Sequence, residues 1–465
     1  MLDLAARPVL TLALLAAVAP VLAQEPAPPR AARADLALAY TDFEAALAAA
    51  GALAPDRRAT VEREFDRLTV AFFSGQTEAA LVALRALTAR LQRGEAAPAP
   101  APAAYLLARV EPPVALRGAP GPRVRLTLLR GAPGLEGLRY RLSGAGGERA
   151  IAPRPDDPRT LELPADLRPG RYELEALGPG EARATLARCS VVADAPAALR
   201  ARLAARLAAL DPSPGRKVAR ARLALLAERP DPNDTAQALA DLDAVARELA
   251  AEVDALAAGR DPYTRRVGNL WRPYRSGGRA IPLRVYAPRE AADGPLPLLV
   301  AFHGAGGDEN MFAWGYGGGA LLREAAQRGL LVACPRTEAF FADPAAAYRD
   351  LLDELSRDYA FDRERVCLLG HSLGTVAIDR LLLTEPQGIA GVVCFSGRPR
   401  RTPARTLVFQ GALDPFQALA GRAPTDQPNL ALRRLPGYGH TLLVGERLPE
   451  ALDWLLGARP WRRWF

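Results

Sequence analysis

The residues best suited to nucleophilic chemistry are Gly370-His371-Ser372-Leu373-Gly374. This segment follows the apolar run Val366–Leu369 and precedes Val376-Ala377-Ile378, which predicts a strand, a sharp turn and a helix around Ser372. A turn this tight strains the backbone, and the glycines on both sides avoid side-chain collisions there. The helix N-terminus also offers N–H donors and a favourable dipole. Ser372 is therefore the predicted nucleophile.

A serine hydroxyl needs a base within hydrogen-bond reach, and the chain offers only His303, His371 and His440. His371 adjoins Ser372 on the turn, so its ring does not easily fold back onto the neighbouring hydroxyl. His303 lies at the mouth of an earlier strand. His440 follows Leu435-Pro436-Gly437-Tyr438-Gly439 and precedes the C-terminal helix, where a loop can bring its imidazole over the serine. We predict His440 as the base.

The acid that orients this histidine is expected between Ser372 and His440, after a strand. The strand Thr406–Gln410 ends in Gly411-Ala412-Leu413-Asp414-Pro415, which makes Asp414 the predicted acid. It would hold the imidazole in the right tautomer and stabilise the imidazolium. Asp426 is the reserve, although its proline neighbours favour a surface loop.

A glycine-rich segment, His303-Gly304-Ala305-Gly306-Gly307, follows the apolar strand Leu298–Phe302. An oxyanion hole needs two backbone N–H groups aimed at one point, and such a loop can present one of them. We predict that the N–H groups of Ala305 and Leu373 form the hole.

Apolar strands alternate with helical segments through the C-terminal part of the chain, which predicts a parallel sheet buried on both faces. The predicted strands, in chain order, are 281–286, 298–302, 330–334, 365–369, 389–395 and 406–410, and helices are predicted at about 318–328, 344–359 and from the elbow to 383. Only ten residues, Ser396–Arg405, separate the last two predicted strands, so there is little room for a helical lid between them. That implies an open site, unless the N-terminal segments cover it.

Residues 280–455 resemble the α/β-hydrolase superfamily in the order and context of these four elements. More narrowly, LPLLVAFHGAGGDENMF and the later LLVACPR resemble secreted carboxylesterases and polyhydroxyalkanoate depolymerase-like esterases. The resemblance implies an α/β-hydrolase fold and hydrolysis of carboxylic esters through an acyl-enzyme, with no cofactor and no metal. Phe312, Trp314, Tyr316 and Phe416 are candidates to line an acyl pocket, although core packing explains each equally well.

The remaining segments predict supporting structure. Apolar residues at three- and four-residue steps predict a helical hairpin within residues 24–94, formed by helices at about 32–50 and 55–93 and serving as a packing or spacer element. Alternating Ala and Pro predict a linker at 95–104. Short alternating strands with frequent turns predict a small immunoglobulin-like β-sandwich at 105–195, serving as a spacer. A helical connector at 196–260, the catalytic domain at 261–458 and a tail at 459–465 complete the chain.

Residues 1–23 have the pattern of a secretory signal: Arg7 followed by a short apolar run that ends Val21-Leu22-Ala23. We expect cleavage after Ala23 and export to the periplasm or medium; the alternative is an uncleaved membrane anchor. The chain has four cysteines, Cys189, Cys334, Cys367 and Cys394. The last three lie in apolar strand-like runs and are expected to be buried and inert.

The formal charge is +8, but acidic and basic residues are interleaved along the whole chain, so no nucleic-acid partner is expected. Stable membrane insertion is not expected either, and no pattern specifies an oligomeric state. The predicted function is an exported serine hydrolase acting on small or polymeric esters. The alternatives are a peptidase of prolyl-oligopeptidase type and a non-catalytic binding or scaffold protein. Thr375, where that peptidase family usually has another glycine, argues against the first, and the ordered catalytic elements argue against the second.

Overall fold

The structure is a computed structural model that describes residues 30–93, 100–119, 121–178, 183–227, 231, 233–292, 295–385, 387–417 and 427–457. The predicted signal segment 1–23, the tail 459–465, the reserve acid Asp426 and the first half of the predicted linker lie outside these ranges. The described residues from Ala31 onwards form one compact unit. No helix in the described ranges has both the length and the apolar character needed to cross a bilayer.

Three helices open the described chain: α1 (Arg33–Ala50), α2 (Pro55–Phe73) and α3 (Thr77–Arg93). The predicted hairpin is therefore wrong in one respect, because its second helix is two helices. Gly75 has a positive φ of 77°, a left-handed conformation that ends a helix and suits glycine. The apolar spacing continues across this break, which is why the sequence pattern did not reveal it.

Eight strands follow and form two small sheets, ordered β1-β3-β6 and β2-β8-β7-β4-β5. One core, which includes Leu126, Leu142, Tyr172 and Leu174, lies between the sheets. The immunoglobulin-like type stays a prediction. The strands are β1 (Leu106–Glu111), β2 (Val114–Leu116), β3 (Arg123–Leu128), β4 (Arg139–Gly144), β5 (Gly147–Ile151), β6 (Thr160–Glu162), β7 (Gly170–Leu177) and β8 (Arg183–Val192).

The connector consists of four helices: α4 (Pro196–Ala208), α5 (Pro214–Arg222), α6 (Thr235–Leu239) and α7 (Leu242–Ala257). The side chains of Ser213, Asp234 and Asp241 cap α5, α6 and α7 by accepting backbone N–H bonds. Arg222 donates to the carbonyl of Trp271 at 3.0 Å, which ties α5 to the large sheet of the C-terminal part of the chain.

This large sheet has eight strands in the order β16-β15-β14-β13-β11-β12-β10-β9. Adjacent strands pair in parallel from β16 to β12. Strand β10 pairs antiparallel with both β12 and β9. The strands are β9 (Gly268–Ser276), β10 (Arg279–Ala287), β11 (Leu296–Phe302), β12 (Leu331–Pro335), β13 (Phe361–His371), β14 (Ile389–Phe395), β15 (Thr406–Gly411) and β16 (Leu430–Leu435). The helices are α8 (Tyr316–Arg328), α9 (Pro344–Ser356), α10 (Leu373–Thr384) and α11 (Leu443–Gly457).

Both faces of this sheet are buried. Leu298, Val300 and Phe302 of β11 belong to the core on one face, and Leu299 and Ala301 belong to the core on the other. A strand covered on both sides reads as a continuous apolar run, which is why the central strands could be predicted. The predicted α/β-hydrolase fold, a mostly parallel sheet with flanking helices, is confirmed.

Two strands of this sheet were not predicted. Strand β16 is an edge strand with exposed and half-buried residues, including Arg433 and Arg434, and β9 includes Arg272 and Pro273. Neither strand has the apolar run of the central strands. Arg272 is nevertheless buried, because it forms ion pairs with Glu354 and Asp358.

All four cysteines are buried and free. Burial raises the pKa of the Cys189 and Cys334 thiols to about 12 and that of Cys367 to about 11, and it raises the pKa of Cys394 as well. Because the thiolate is the reactive form, these thiols are inert at neutral pH.

Candidate active site

Ser372 lies on the turn between β13 and α10, with φ 51° and ψ −114°. Only small neighbours fit around this strained residue. A Cβ atom added to Gly374 would lie 2.1 Å from the carbonyl oxygen of Phe302, and one added to Gly370 would lie 2.7 Å from Cδ1 of Ile378. The structure thus has the strand–turn–helix elbow that the sequence pattern predicts. A side chain at position 370 or 374 would collide with its neighbours, so both positions require glycine.

His440 lies in the loop between β16 and α11, and its imidazole reaches the serine. Ser372 Oγ lies 2.9 Å from His440 Nε2, within range for the hydroxyl to donate to that nitrogen. The histidine is buried, with 3% of its surface exposed. The other two histidines are placed differently, so His440 is the histidine positioned to take the serine proton.

Asp414 follows β15 and stands on the far side of the imidazole. Its Oδ1 lies 3.0 Å from His440 Nδ1. Nδ1 makes no well-aligned hydrogen bond with a described acceptor, so the two groups are in close contact without a straight hydrogen bond. The carboxylate is fixed by the amide N–H of Phe416 at 2.8 Å and by the side-chain amide of Gln410 at 2.6 Å. The structure therefore brings Ser372, His440 and Asp414 together as predicted.

His371 has a supporting position beside the triad. Its Nε2 donates to the carbonyl of His440 at 3.0 Å, and its Nδ1 accepts from the hydroxyl of Tyr316 at 2.7 Å. Burial and the neighbouring His440 hold the pKa of His371 well below its usual value. Both ring nitrogens are thus occupied, and this neutral ring supports the main chain of His440.

His303 holds the glycine-rich segment 303–307 in place through two hydrogen bonds. Its Nδ1 donates to the carbonyl of Gly304 at 2.8 Å, and its Nε2 accepts from the amide of Thr337 at 3.0 Å. Burial lowers the pKa of this histidine. The fixed ring sets the course of the glycine-rich loop beside the elbow.

The glycine-rich loop passes directly over Ser372. A Cβ atom added to Gly304 would lie 3.3 Å from Cβ of Ser372 and 2.7 Å from Nδ1 of His371. In the described chain, the N–H groups of Ala305 and Leu373 donate to no protein acceptor. An oxyanion hole requires two such donors aimed at one point, and the assignment of Ala305 and Leu373 to it stays a prediction.

A cavity of about 160 Å³ opens at Ser372 and His440. Its walls are mostly apolar and are shared between the loops around Ser372 and the N-terminal helices, chiefly α1 and α2. Apolar residues in these walls include Leu36, Tyr40, Leu68, Phe72, Phe73 and Trp314. The ten residues 396–405 contain no helix. The cover over the site is thus formed by the N-terminal helices, the possibility that the sequence left open, and these helices are more than a remote spacer.

The four candidate aromatic residues lie in three different places. Trp314 and Tyr316 line the cavity, whereas Phe312 is buried in the core under α8. Phe416 packs against the imidazole of His440, with 4.7 Å between ring centroids, and against Phe73 of α2 at 5.9 Å. The aromatic contacts therefore continue from the triad into the helical cover.

Two acidic residues that the sequence analysis did not single out also contact the site. Glu62 and Asp66 of α2 are buried and accept hydrogen bonds from the backbone N–H groups of Gly439 and His440. The signal for them was present: both acids lie next to Val61 and Phe65, in the apolar stripe of the helix. Carboxylates in a buried stripe are rare unless they have partners.

No group of three or more histidine, cysteine or acidic side chains in the described ranges is arranged to hold a metal ion.

The sequence matches no protein-family model and no curated protein. Among solved structures it is similar to an S-formylglutathione hydrolase from Agrobacterium tumefaciens, with 18% identity, a TM-score of 0.34, and coverage of 41% of this chain and 96% of that one. It is similar to the feruloyl esterase module from Clostridium thermocellum, with 13% identity, a TM-score of 0.34 and coverage of 39% and 84%. It is also similar to FphF, a fluorophosphonate-binding serine hydrolase from Staphylococcus aureus, with 14% identity, a TM-score of 0.32 and coverage of 40% and 97%.

Proposed function

We propose that this protein is a serine hydrolase that cleaves small carboxylic esters through an acyl-enzyme. The observation that carries the proposal is the line of contacts at the cavity: Ser372 Oγ is 2.9 Å from His440 Nε2, and His440 Nδ1 is 3.0 Å from Asp414 Oδ1. A hydroxyl, an imidazole and a carboxylate in this order form a proton-transfer unit for acyl transfer.

Acylation begins when Ser372 Oγ attacks the ester carbonyl carbon and its proton passes to His440 Nε2. The N–H groups of Ala305 and Leu373 stabilise the resulting oxyanion, and Asp414 stabilises the imidazolium. The C–O bond to the alcohol then breaks, and His440 returns the proton to the leaving alkoxide. A water molecule, deprotonated by His440, attacks the acyl-enzyme, and collapse of the second oxyanion releases the acid and returns the proton to Ser372.

The cavity supports an ester whose acyl group is small and apolar. Its volume of about 160 Å³ is comparable to that of an engineered apolar cavity of about 150 Å³ that binds benzene. An acyl group of about six carbons therefore fits, and the helical cover favours a small molecule over a polymer.

The nucleophile is tested with a fluorophosphonate probe on the full chain. Wild-type protein should be labelled, Ser372→Ala should not, and Ser356→Ala, which changes an exposed serine at the end of α9, should be labelled as wild type. Equal labelling of the Ser372→Ala protein would overturn the proposal.

Substrate class is tested with matched p-nitrophenyl esters and p-nitroanilides of two to twelve acyl carbons. The proposal expects ester cleavage with a maximum near six carbons and little anilide cleavage. Faster cleavage of the anilides would instead favour a peptidase.

Export by residues 1–23 is a further part of the proposal, supported by the sequence pattern alone. N-terminal sequencing of protein recovered from the periplasm or medium should begin at Gln24. An intact N-terminus in the membrane fraction would indicate the uncleaved anchor.

A further inference from the structure

Helix α2 places two buried carboxylates on the main chain of the loop that holds His440. The N–H of His440 donates to both oxygens of Asp66, at 3.1 and 3.2 Å, and the N–H of Gly439 donates to Glu62 Oε2 at 3.0 Å. A Cβ atom added to Gly439 would lie 2.2 Å from Asp66 Oδ2. The loop and the helix thus fit together with no space between them.

Asp66 is close to the triad but does not line the substrate cavity. The cavity residues of α2 are Phe65, Leu68, Thr69, Phe72 and Phe73. A role for Asp66 must therefore act through His440 rather than through contact with substrate.

The surroundings of the two acids contain charges from several elements. Arg58 of α2 faces Glu62 at 3.6 Å and also pairs with Glu446 of α11. Tyr40 of α1 and Glu446 couple electrostatically to Glu62, and His440 and Asp414 couple to Asp66. Asp66 itself contacts no arginine in the described chain, so the nearest cation it can meet is His440 when that ring is protonated.

Burial raises the pKa of Asp66 to about 6 and, more strongly, that of Glu62 to about 8. Near pH 7 Asp66 is therefore mostly ionised, whereas Glu62 mostly retains its proton. Of these two acids of α2, Asp66 is therefore the one that adds a negative charge beside His440 at this pH.

We propose that Asp66 is a positioning residue for the hydrolase reaction: it fixes the main chain of His440 and adds a second carboxylate, besides Asp414, that stabilises the imidazolium. This inference rests on the proposed function. The helical cover then supplies part of the catalytic environment as well as the wall of the cavity.

The test compares Asp66→Asn, which keeps an oxygen acceptor but removes the charge, with Asp66→Ala, which removes both. Asp56→Asn is the matched control, because Asp56 is exposed in the first turn of the same helix. Substrate is the best p-nitrophenyl ester, and kcat, KM and the pH profile of kcat/KM are measured.

For Asp66→Asn we expect kcat at pH 7.5 to fall roughly tenfold, the effect of losing a charged hydrogen-bond partner, with KM changed by less than about twofold. The kcat of Asp66→Ala should be lower still. On the acid limb of the profile, at pH 6 and below, wild-type Asp66 takes up a proton and loses the charge that Asp66→Asn lacks. The ratio of wild-type to Asp66→Asn kcat/KM should therefore shrink towards one there. Asp56→Asn should match wild type.

Circular dichroism shows whether each variant is folded. A folded Asp66→Asn protein with wild-type kcat and an unchanged acid limb would overturn the inference. A fall in activity by the same factor at every pH would also overturn it, because that result indicates a structural role only. These outcomes differ from failure of the proposed function, in which fluorophosphonate labels Ser372→Ala as well as wild type.

Discussion

The backbone carbonyl of His440 accepts two hydrogen bonds in this site. His371 Nε2 donates to the carbonyl oxygen of His440, and the hydroxyl of Ser396 donates to the same oxygen at 2.6 Å. The ring next to the nucleophile therefore has no nitrogen left for proton transfer, whereas His440 presents Nε2 to the serine. Elimination from the sequence selected the same histidine, because a ring on the elbow cannot easily turn back onto its neighbour.

Replacement of Asp414 by Asn should leave the fold intact and lower kcat by roughly 10⁴-fold, because an amide donor beside Nδ1 favours the wrong imidazole tautomer. Steady-state kinetics on the best ester measures this. Asp453→Asn, at an exposed position of α11, should retain full activity. A loss below tenfold in Asp414→Asn would contradict the role of this acid.

Gly374→Ala should destabilise the protein by about 2 kcal/mol or more, because its Cβ atom would lie 2.1 Å from backbone that cannot move freely. The measurement is chemical unfolding with fluorescence. Gly457→Ala is the control, because an added Cβ atom there meets nothing within 4 Å. Equal stability of the two variants would show that the elbow tolerates a side chain.

At the scale of elements, helix α2 is amphipathic in an unusual way: its buried side contains both a phenylalanine-rich wall and two acids. Val61 and Phe65 pack in the core of the N-terminal helices, and Glu62 and Asp66 meet the histidine loop. Helix α2 therefore contributes one set of residues to the cavity wall and another set to the contact with the loop that holds His440.

Glu62→Gln should raise stability at alkaline pH. The folded pKa of Glu62, about 8, lies above the ordinary value of 4.5 because of burial. The folded state therefore holds a proton on Glu62 that the unfolded state releases. The contribution of Glu62 to stability is greatest below pH 4.5 and is lost as the pH rises to about 8. The neutral amide removes this penalty, which is on the order of a few kcal/mol above pH 8.

The check is urea unfolding of wild type and Glu62→Gln at pH 5 and pH 9. The variant should gain stability at pH 9 relative to its difference at pH 5. A difference that does not change with pH would show that Glu62 has an ordinary pKa.

Leu68→Ala should enlarge the cavity, because Leu68 lies in its wall and is almost fully buried. Three carbons are removed, so the preferred acyl chain should lengthen by about two or three carbons, and kcat/KM for the shorter esters should fall. The ester panel measures the shift. Leu383→Ala, exposed on α10, is the matched control and should keep the wild-type profile. An unchanged optimum in Leu68→Ala would exclude this wall from acyl recognition.

A structural feature could be predicted from the sequence where residues close together in the chain specify it. The elbow at Ser372, the strand before Gly304 and the acid after β15 each follow from neighbouring residues, and the central strands follow from their apolar runs. Strand β16 has no such run, because one of its sides faces solvent. The contact between Asp66 and His440 joins distant parts of the chain, and no spacing rule reaches that far.

At the scale of the whole molecule, the cores do not follow the predicted segment boundaries. One core joins Phe43 and Phe65 of the N-terminal helices to Leu107 of β1, to Leu129 directly after β3, and to Leu442 near His440. A shared core couples the stability of the parts that contribute to it.

We therefore expect thermal unfolding of the full chain to show one main transition, in which secondary structure and fluorophosphonate labelling are lost together. Calorimetry, circular dichroism and labelling over the same temperature range measure this. A first transition that leaves labelling intact would show that the N-terminal helices unfold independently of the triad.

Asp66 and the amide of His440 are 374 positions apart. A protein is synthesised from its N-terminus, so α2 emerges from the ribosome long before its catalytic partner exists. Contacts of such high sequence separation form slowly, after local structure, because a long stretch of chain must first be brought back on itself. A nascent chain that ends before residue 440 lacks the proposed base, and we expect full activity only after the C-terminal segment has been synthesised and has packed against α2.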